Sequence, residues 1–260
     1  MSTICLHAPT YPSQPEVLRK TLNTLLQEVH PPAIQGEVMA ILAPDTNLLM
    51  AGPATAQAYK LIEGTSYDTV VLIAPGLPES AQRISIPDIS SYQTPLGTIP
   101  IDEELREELC DESDDIFLNN ELLYLTTGID AQLAFLQSVI GTFKLVPILI
   151  GQDNFELGKE LGSTLAEVLS HHRTLIVATA EIQQATSEQF KDLKEGLEHF
   201  DLGRIIRLIH RTDFILQGES GLMATLLATT QRGAQHARLL EYHAPDLPLP
   251  GFFSGVIWKD

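Results

Sequence analysis

The chain has 260 residues, 44% of them hydrophobic, enough to bury a core as one large domain or two small ones. Its 34 acidic residues outweigh 16 basic ones, and a formal net charge of -18 with no basic patch excludes phosphate backbones, hence nucleic acid, as partners. The apolar runs stay below the roughly 18 residues a membrane span requires, and MSTICLHAP lacks the basic flank and cleavage site of a signal peptide, so a soluble, cytoplasmic protein is expected.

No compositional break or internal repeat divides the chain, so residues 1–260 are read as a single α/β domain. In chain order, Val17 to Val29 carries Leu18, Leu22, Leu25 and Leu26 at helical spacing. The organising stretch is Glu37 to Tyr59. Val38 to Ala43 is an apolar run of strand length, Pro44 stops it, and small residues from Ala51 onward begin a crossover helix. Ligands of open α/β sheets bind beyond the carboxyl ends of strands, which directs attention to Asp45-Thr46-Asn47. Thr69 to Ala74 is a second buried strand, ended by Pro75-Gly76.

Ile84 to Thr98 reads as irregular, with a turn at Thr94-Pro95-Leu96-Gly97, and Asp102 as the N-cap of an acidic helix. Between Asp102 and Glu121 only Arg106 opposes ten carboxylates. This segment lacks the Asp/Asn and Gly spacing of a calcium loop and reads as a solvated helix and loop. Gly128 to Ile140 is a helix. Leu145 to Ile150 is a strand, and Pro147 suggests that it lies at an edge or carries a bulge. A helix over Leu157 to Leu169 and a strand over Thr174 to Ala178 follow, then helices at Ser187 to Phe200, Leu202 to Ile209 and Leu222 to Arg232. Strand-like Arg238 to Tyr242 and Phe252 to Trp258 close the chain. The alternation predicts an α/β fold with a largely parallel or mixed central sheet covered by helices on both faces.

Tyr92-Gln93-Thr94-Pro95-Leu96-Gly97-Thr98-Ile99-Pro100-Ile101-Asp102 resembles the Memo family's "TPLG, apolar run, Asp" signature. Gln132 to Gln137 with Val146-Pro147-Ile148 resembles its QLPFLQ and VPI segments, and Ala51-Gly52, Ala58-Tyr59-Lys60 and Leu239 to Tyr242 also fit. The resemblance, to the B component of the AmmeMemoRadiSam group, implies a fold similar to class III (LigB-type) extradiol dioxygenases. It also implies where a metal site would stand, and there the residues differ. Asp45 replaces the histidine of Pro-His-Ala-Gly-Tyr, and Leu77 that of Gly-Pro-x-His. Thr179 to Gln184 replaces Ser-Ser-Asp-x-x-His, and Gln217-Gly218 replaces Cys-Gly. Thr126-Thr127 stands for Glu-His, and Thr10 for the Trp before Tyr11.

Iron, copper and zinc favour imidazole and thiolate, so no family metal site and no cofactor are expected. The expected pocket comprises Asp45, Asn47, Leu77, Glu181, Gln184, Gln217 and Tyr11. Its carboxylates and amides suit a hydrogen-bonded polar pocket, or a hard cation held through oxygen. The eight histidines lack metal spacing, with His7 nearest the expected cleft; Cys5 and Cys110 read as reduced thiols, and Ser220 as a helix cap. Two functions follow as expectations. One is a non-catalytic family member binding a small molecule or a protein partner near the old crevice. The other is an enzyme, oxidoreductase-like or hydrolytic, that uses Asp45 and Glu181 as metal ligands or as an acid/base pair.

Overall fold

The computed structural model describes residues 3–4, 11–76, 84–120, 128–246 and 249–260. β1 (Thr3–Ile4) precedes α1 (Pro15–Glu28), where Pro15 occupies a first-turn position whose amide has no helical partner, and where Leu18, Leu22 and Leu26 form the buried stripe. β2 (Glu37–Pro44) is buried at every residue after the first and leads through Asp45-Thr46-Asn47 into α2 (Leu48–Lys60). β3 (Thr69–Pro75) is wholly buried. The stretch expected to be irregular holds β4 (Ile84–Ile86), β5 (Ser91–Thr94) and β6 (Gly97–Pro100), and the predicted turn is the tight loop of the β5–β6 hairpin. α3 (Glu103–Glu112) exposes its glutamates and buries Leu105 and Leu109, as a solvated helix does.

β7 (Ile116–Leu118), α4 (Gly128–Val139), β8 (Lys144–Ile150) and α5 (Phe155–Val168) come next. β9 (Thr174–Gln184), α6 (Ser187–Glu198), α7 (Leu202–Ile209) and β10 (Ile215–Gln217) follow. α8 (Glu219–Gln231), β11 (His236–His243) and β12 (Phe252–Lys259) complete the order. Among the described residues, no helix is long and apolar enough to cross a membrane.

The main sheet has nine strands and is mixed. Its path is β11-β12-β2-β9-β3-β8-β4-β7, with β10 paired to the far end of β9. The central four, β2, β9, β3 and β8, are parallel, so their carboxyl ends share one edge. Alternation along these strands feeds two cores. Val70, Leu72 and Ala74 pack under α1, α2 and α4, while Val71 and Ile73 face α3 and α5 to α8. Helices therefore cover both faces. A separate three-stranded sheet, β1-β5-β6, flanks this assembly.

Several local expectations change. β9 does not stop at Ala178 but continues to Gln184, because its last residues find a new antiparallel partner in β10. β8 is internal, with β3 on one side and β4 on the other, despite Pro147. The antiparallel β4 reaches only Leu149 and Ile150, so no outer ladder is broken at the proline. Ser220 does not cap α8, whose N-cap is Gly218. Its hydroxyl instead accepts from the Asn154 amide at 2.9 Å and donates to the Asn154 carbonyl at 2.8 Å, joining α8 to the start of α5. Cys110 is a free, half-buried thiol whose pKa burial raises, and Cys5 lies outside the described residues.

Asp102 precedes α3 as expected, but its side chain does not cap the helix. It is buried and accepts a short hydrogen bond from the Thr69 hydroxyl and a bond from Lys144 Nζ at 3.2 Å, tying the hairpin exit to the first residues of β3 and β8. Asp102→Ala would leave the buried Thr69 hydroxyl without its acceptor, an expected loss of about 1–3 kcal/mol. Urea unfolding should show a lower midpoint at unchanged slope. An unchanged midpoint would show that these bonds add nothing to folding.

Candidate functional site

The loop after β2 is short and closely held. Asn47, expected in the pocket, is the N-cap of α2, and its Oδ1 accepts the amides of Leu49 and Met50, each at 3.1 Å. Asp45 turns inward: its amide donates to the Ala180 carbonyl at 3.1 Å, and Thr179 Oγ1 donates to its Oδ1 at 2.9 Å. The first residue of α4 closes over this carboxylate. A Cβ on Gly128 would stand 1.6 Å from Asp45 Oδ1, so no side chain fits there while Asp45 keeps its position.

The β9 extension supplies the second part. Glu181 lies directly across from Gln217 in the β9–β10 ladder. Gln183 Nε2 bridges the two strands, donating to Glu181 Oε2 at 3.1 Å and to Gln217 Oε1 at 3.0 Å. Gln184 is exposed and donates to the Asp213 carbonyl at 3.3 Å instead. Strand alternation explains the difference, since Gln183 is two residues from Glu181 and shares its face. Tyr11 is half-buried against the core under α1, α2 and α4, and Leu77 lies outside the described residues.

Two carboxylates not singled out by the sequence join this edge. Asp153, beyond β8, accepts from the amides of Gly218, at short range, and Ser220, at 3.3 Å, at the start of α8. Glu219 is the first residue of α8. Asp153 was detectable by the same rule that picked Asp45, because it follows the carboxyl end of a parallel strand. Gln183, Asp153, Gln217 and Glu219 line a cavity of about 540 Å³, with Phe214, Ile215 and Leu216 as its apolar part. A larger groove, about 1020 Å³, lies at the opposite edge between Arg19, Tyr67, Leu96, Phe143 and Lys144, and none of the expected pocket residues lines it. Volume favours the groove. Convergent polar side chains with displaced pKa values favour the carboxyl edge, and these mark sites more directly than size.

Electrostatics links the acids in a row. Burial raises Asp45 to about 6, with the Thr179 bond opposing and the charge of Asp153 adding. Glu181 rises to about 7, first through burial and then through Asp45, with Gln183 opposing. Glu219 rises to about 7 through burial and Asp153, against His210, and burial also raises Asp153. Asp45, at about 6, and Glu181 and Glu219, at about 7, thus titrate near neutral pH.

These donors do not fit a borderline transition metal. They offer oxygen alone, and Asp45, Glu181 and Asp153 each already accept bonds from the protein. Among the described residues, no group of three or more His, Cys, Asp or Glu is arranged to hold a metal ion. The arrangement can donate and accept hydrogen bonds, and can exchange protons.

The raised pKa values fix the sign of a pH effect. The folded state binds these protons more tightly than the unfolded chain, so stability is lost as pH rises from the ordinary values of 3.8 and 4.5 through about 6 for Asp45 and about 7 for Glu181. Asp45→Asn and Glu181→Gln should therefore gain melting temperature relative to the parent between about pH 4 and about pH 8. A difference that stays flat over that range would contradict the shifts.

The Memo-like protein family matches residues 7–247 of this chain. A MEMO1 family protein of Methanopyrus kandleri is 26% identical, over 95% of this chain and 93% of its own length. MEMO1 family proteins of Nitrosopumilus maritimus and Methanosarcina acetivorans are 22% and 27% identical, each over 89% of this chain and over 88% and 87% of their own. The crystal structure of an uncharacterized protein, JW3007, from Escherichia coli K12 is similar in fold, with a TM-score of 0.54 at 10% identity over 85% of this chain and 99% of that one. On a match that spans most of its length, this chain belongs to the Memo-like protein family.

Proposed function

We propose that this chain is a non-catalytic member of its family that binds a small organic molecule at the carboxyl edge of the sheet, and that it works in the cytoplasm without a cofactor. The observation that carries this reading is the convergence of Asp153, Gln183, Gln217 and Glu219 on one cavity with an apolar side. Such a cavity suits a ligand with hydrogen-bond donors at one end and a hydrocarbon body at the other. Anions are disfavoured, because Asp153 already fills the position at the start of α8 where an anion would bind. The net charge of -18 argues the same way against nucleic acid and anionic membrane surfaces.

A second reading rests on Glu181. A carboxyl with a pKa of about 7 beside Asp45 is in the range of a general acid or base, so a metal-free proton-transfer enzyme is the alternative. A thermal-shift screen of amines, phenolic compounds and divalent cations separates the readings when run on the parent, on Gln183→Ala/Glu219→Ala, whose side chains line the cavity, and on Asp45→Ala/Glu181→Ala, whose side chains do not. A compound that raises the parent's melting temperature, has no effect on Gln183→Ala/Glu219→Ala and is recovered unchanged supports binding in the cavity. A compound recovered as product establishes the enzyme. Stoichiometric iron, copper or zinc in the purified protein overturns the reading of a lost metal site.

A further inference from the structure

β11 ends the nine-stranded sheet, and among the described residues it has no strand on its outer side. It is eight residues long, and α2 and α6 pack against it. A long edge strand presents a row of backbone amides and carbonyls that can pair with another strand.

The sequence of β11, His236-Ala237-Arg238-Leu239-Leu240-Glu241-Tyr242-His243, is self-complementary once its bulge is taken into account. The register against β12 shifts between Leu239 and Glu241, which leaves Leu240 as the extra residue. The remaining positions are symmetric about Leu239. In an antiparallel pair of two copies with a two-fold axis at Leu239, His236 meets His243, Ala237 meets Tyr242, and Arg238 meets Glu241.

The faces agree as well. Arg238 and Glu241 lie opposite Val256 and Ser254 of β12, two residues apart and therefore on one face; Ala237 and Tyr242 lie opposite Ile257 and Phe253, on the other. Without the bulge, Arg238 and Glu241 would be three residues apart and would point to opposite faces, so no charge pair could form across the axis. The bulge brings the opposite charges onto one face and into register. Arg238 lies over the Trp258 ring at 5.7 Å, and His243 lies 3.7 Å from Glu241; among the described residues, neither Arg238 nor Glu241 is paired with a Lys, Arg, Asp or Glu.

We propose that β11 pairs with β11 of a second copy, antiparallel about a two-fold axis at Leu239, so that two nine-stranded sheets become one continuous sheet. The two Arg238–Glu241 pairs set its register, and the interface is isologous, closing at the dimer.

Sedimentation equilibrium over a dilution series tests this, at about 0.15 M salt, where the Debye length of about 8 Å screens the repulsion between two acidic chains. The expected species has twice the chain mass of 28.6 kDa. Arg238→Glu and Glu241→Arg each convert both pairs to like charges and should weaken the dimer by about tenfold or more. The double variant R238E/E241R restores opposite charges and should recover the parent's affinity. Circular dichroism establishes that each variant is folded, and either folded single variant suffices for the first comparison. A parent that stays monomeric throughout overturns the proposal. So does a dimer that neither single reversal weakens, or a folded double variant as weak as the singles.

Discussion

Gln132, wholly buried, is hydrogen-bonded to two elements at once, and the carboxyl edge of the sheet is assembled around it. Its Oε1 accepts from the Tyr59 hydroxyl of α2 at 2.9 Å, and its Nε2 donates to the carbonyl of Pro44, the last residue of β2, at 3.0 Å. An amide cut off from water leaves about 1–3 kcal/mol of desolvation uncompensated for each partner it lacks, so α4 cannot slide along β2 without cost. Tyr59 also stacks on Phe135 of α4, with ring centroids 5.2 Å apart. One turn before Gln132, on the same face of α4, Gly128 closes over Asp45, the residue after Pro44. A single buried amide thereby sets where the first acidic side chain of the candidate site can lie.

The residues that carry the family resemblance do similar work elsewhere. The Tyr92 hydroxyl donates to Asp130 of α4 at 2.7 Å, and the Thr94 hydroxyl donates to Gln137 Oε1 at 2.5 Å, so the β5–β6 hairpin is pinned along α4. Asp102 joins the same hairpin to β3 and β8. These contacts belong to the scaffold, and they lie apart from the cavity at the carboxyl edge. Asp45, Glu181 and Gln217 stand at that edge. Of the residues that carry the resemblance, Gln132 reaches the candidate site, through the carbonyl of Pro44.

The acidity of the chain takes two forms. On α3 the glutamates are exposed and remain solvated. At the carboxyl edge, burial and mutual repulsion push Asp45, Glu181 and Glu219 towards neutral pH, so protons are held there. The same residue types therefore give a solvated surface in one place and a hydrogen-bonding surface in the other.

Strands β2, β3 and β8, the helices and the mixed α/β class were legible in the sequence, because burial on both faces of a sheet and on one face of a helix imposes apolar patterns of strand and helix period. The resemblance was legible for a related reason: Thr94, Gly97, Asp102, Gln132 and Gln137 keep their order along the chain. The identity of the polar partners was not. Asp102 had the sequence position of a helix cap, yet the fold gives its carboxylate to Thr69 and Lys144, which are distant in sequence. Gln183 rather than Gln184 bridges Glu181 and Gln217, and Asp153 joins the acidic row, through the pairing of β9 with β10 and the approach of α8. Sequence patterning determined which segments are buried. Only tertiary structure decided which polar side chain meets which, because a shift of one residue in a strand reverses its face, and the register is set by a partner strand far along the chain.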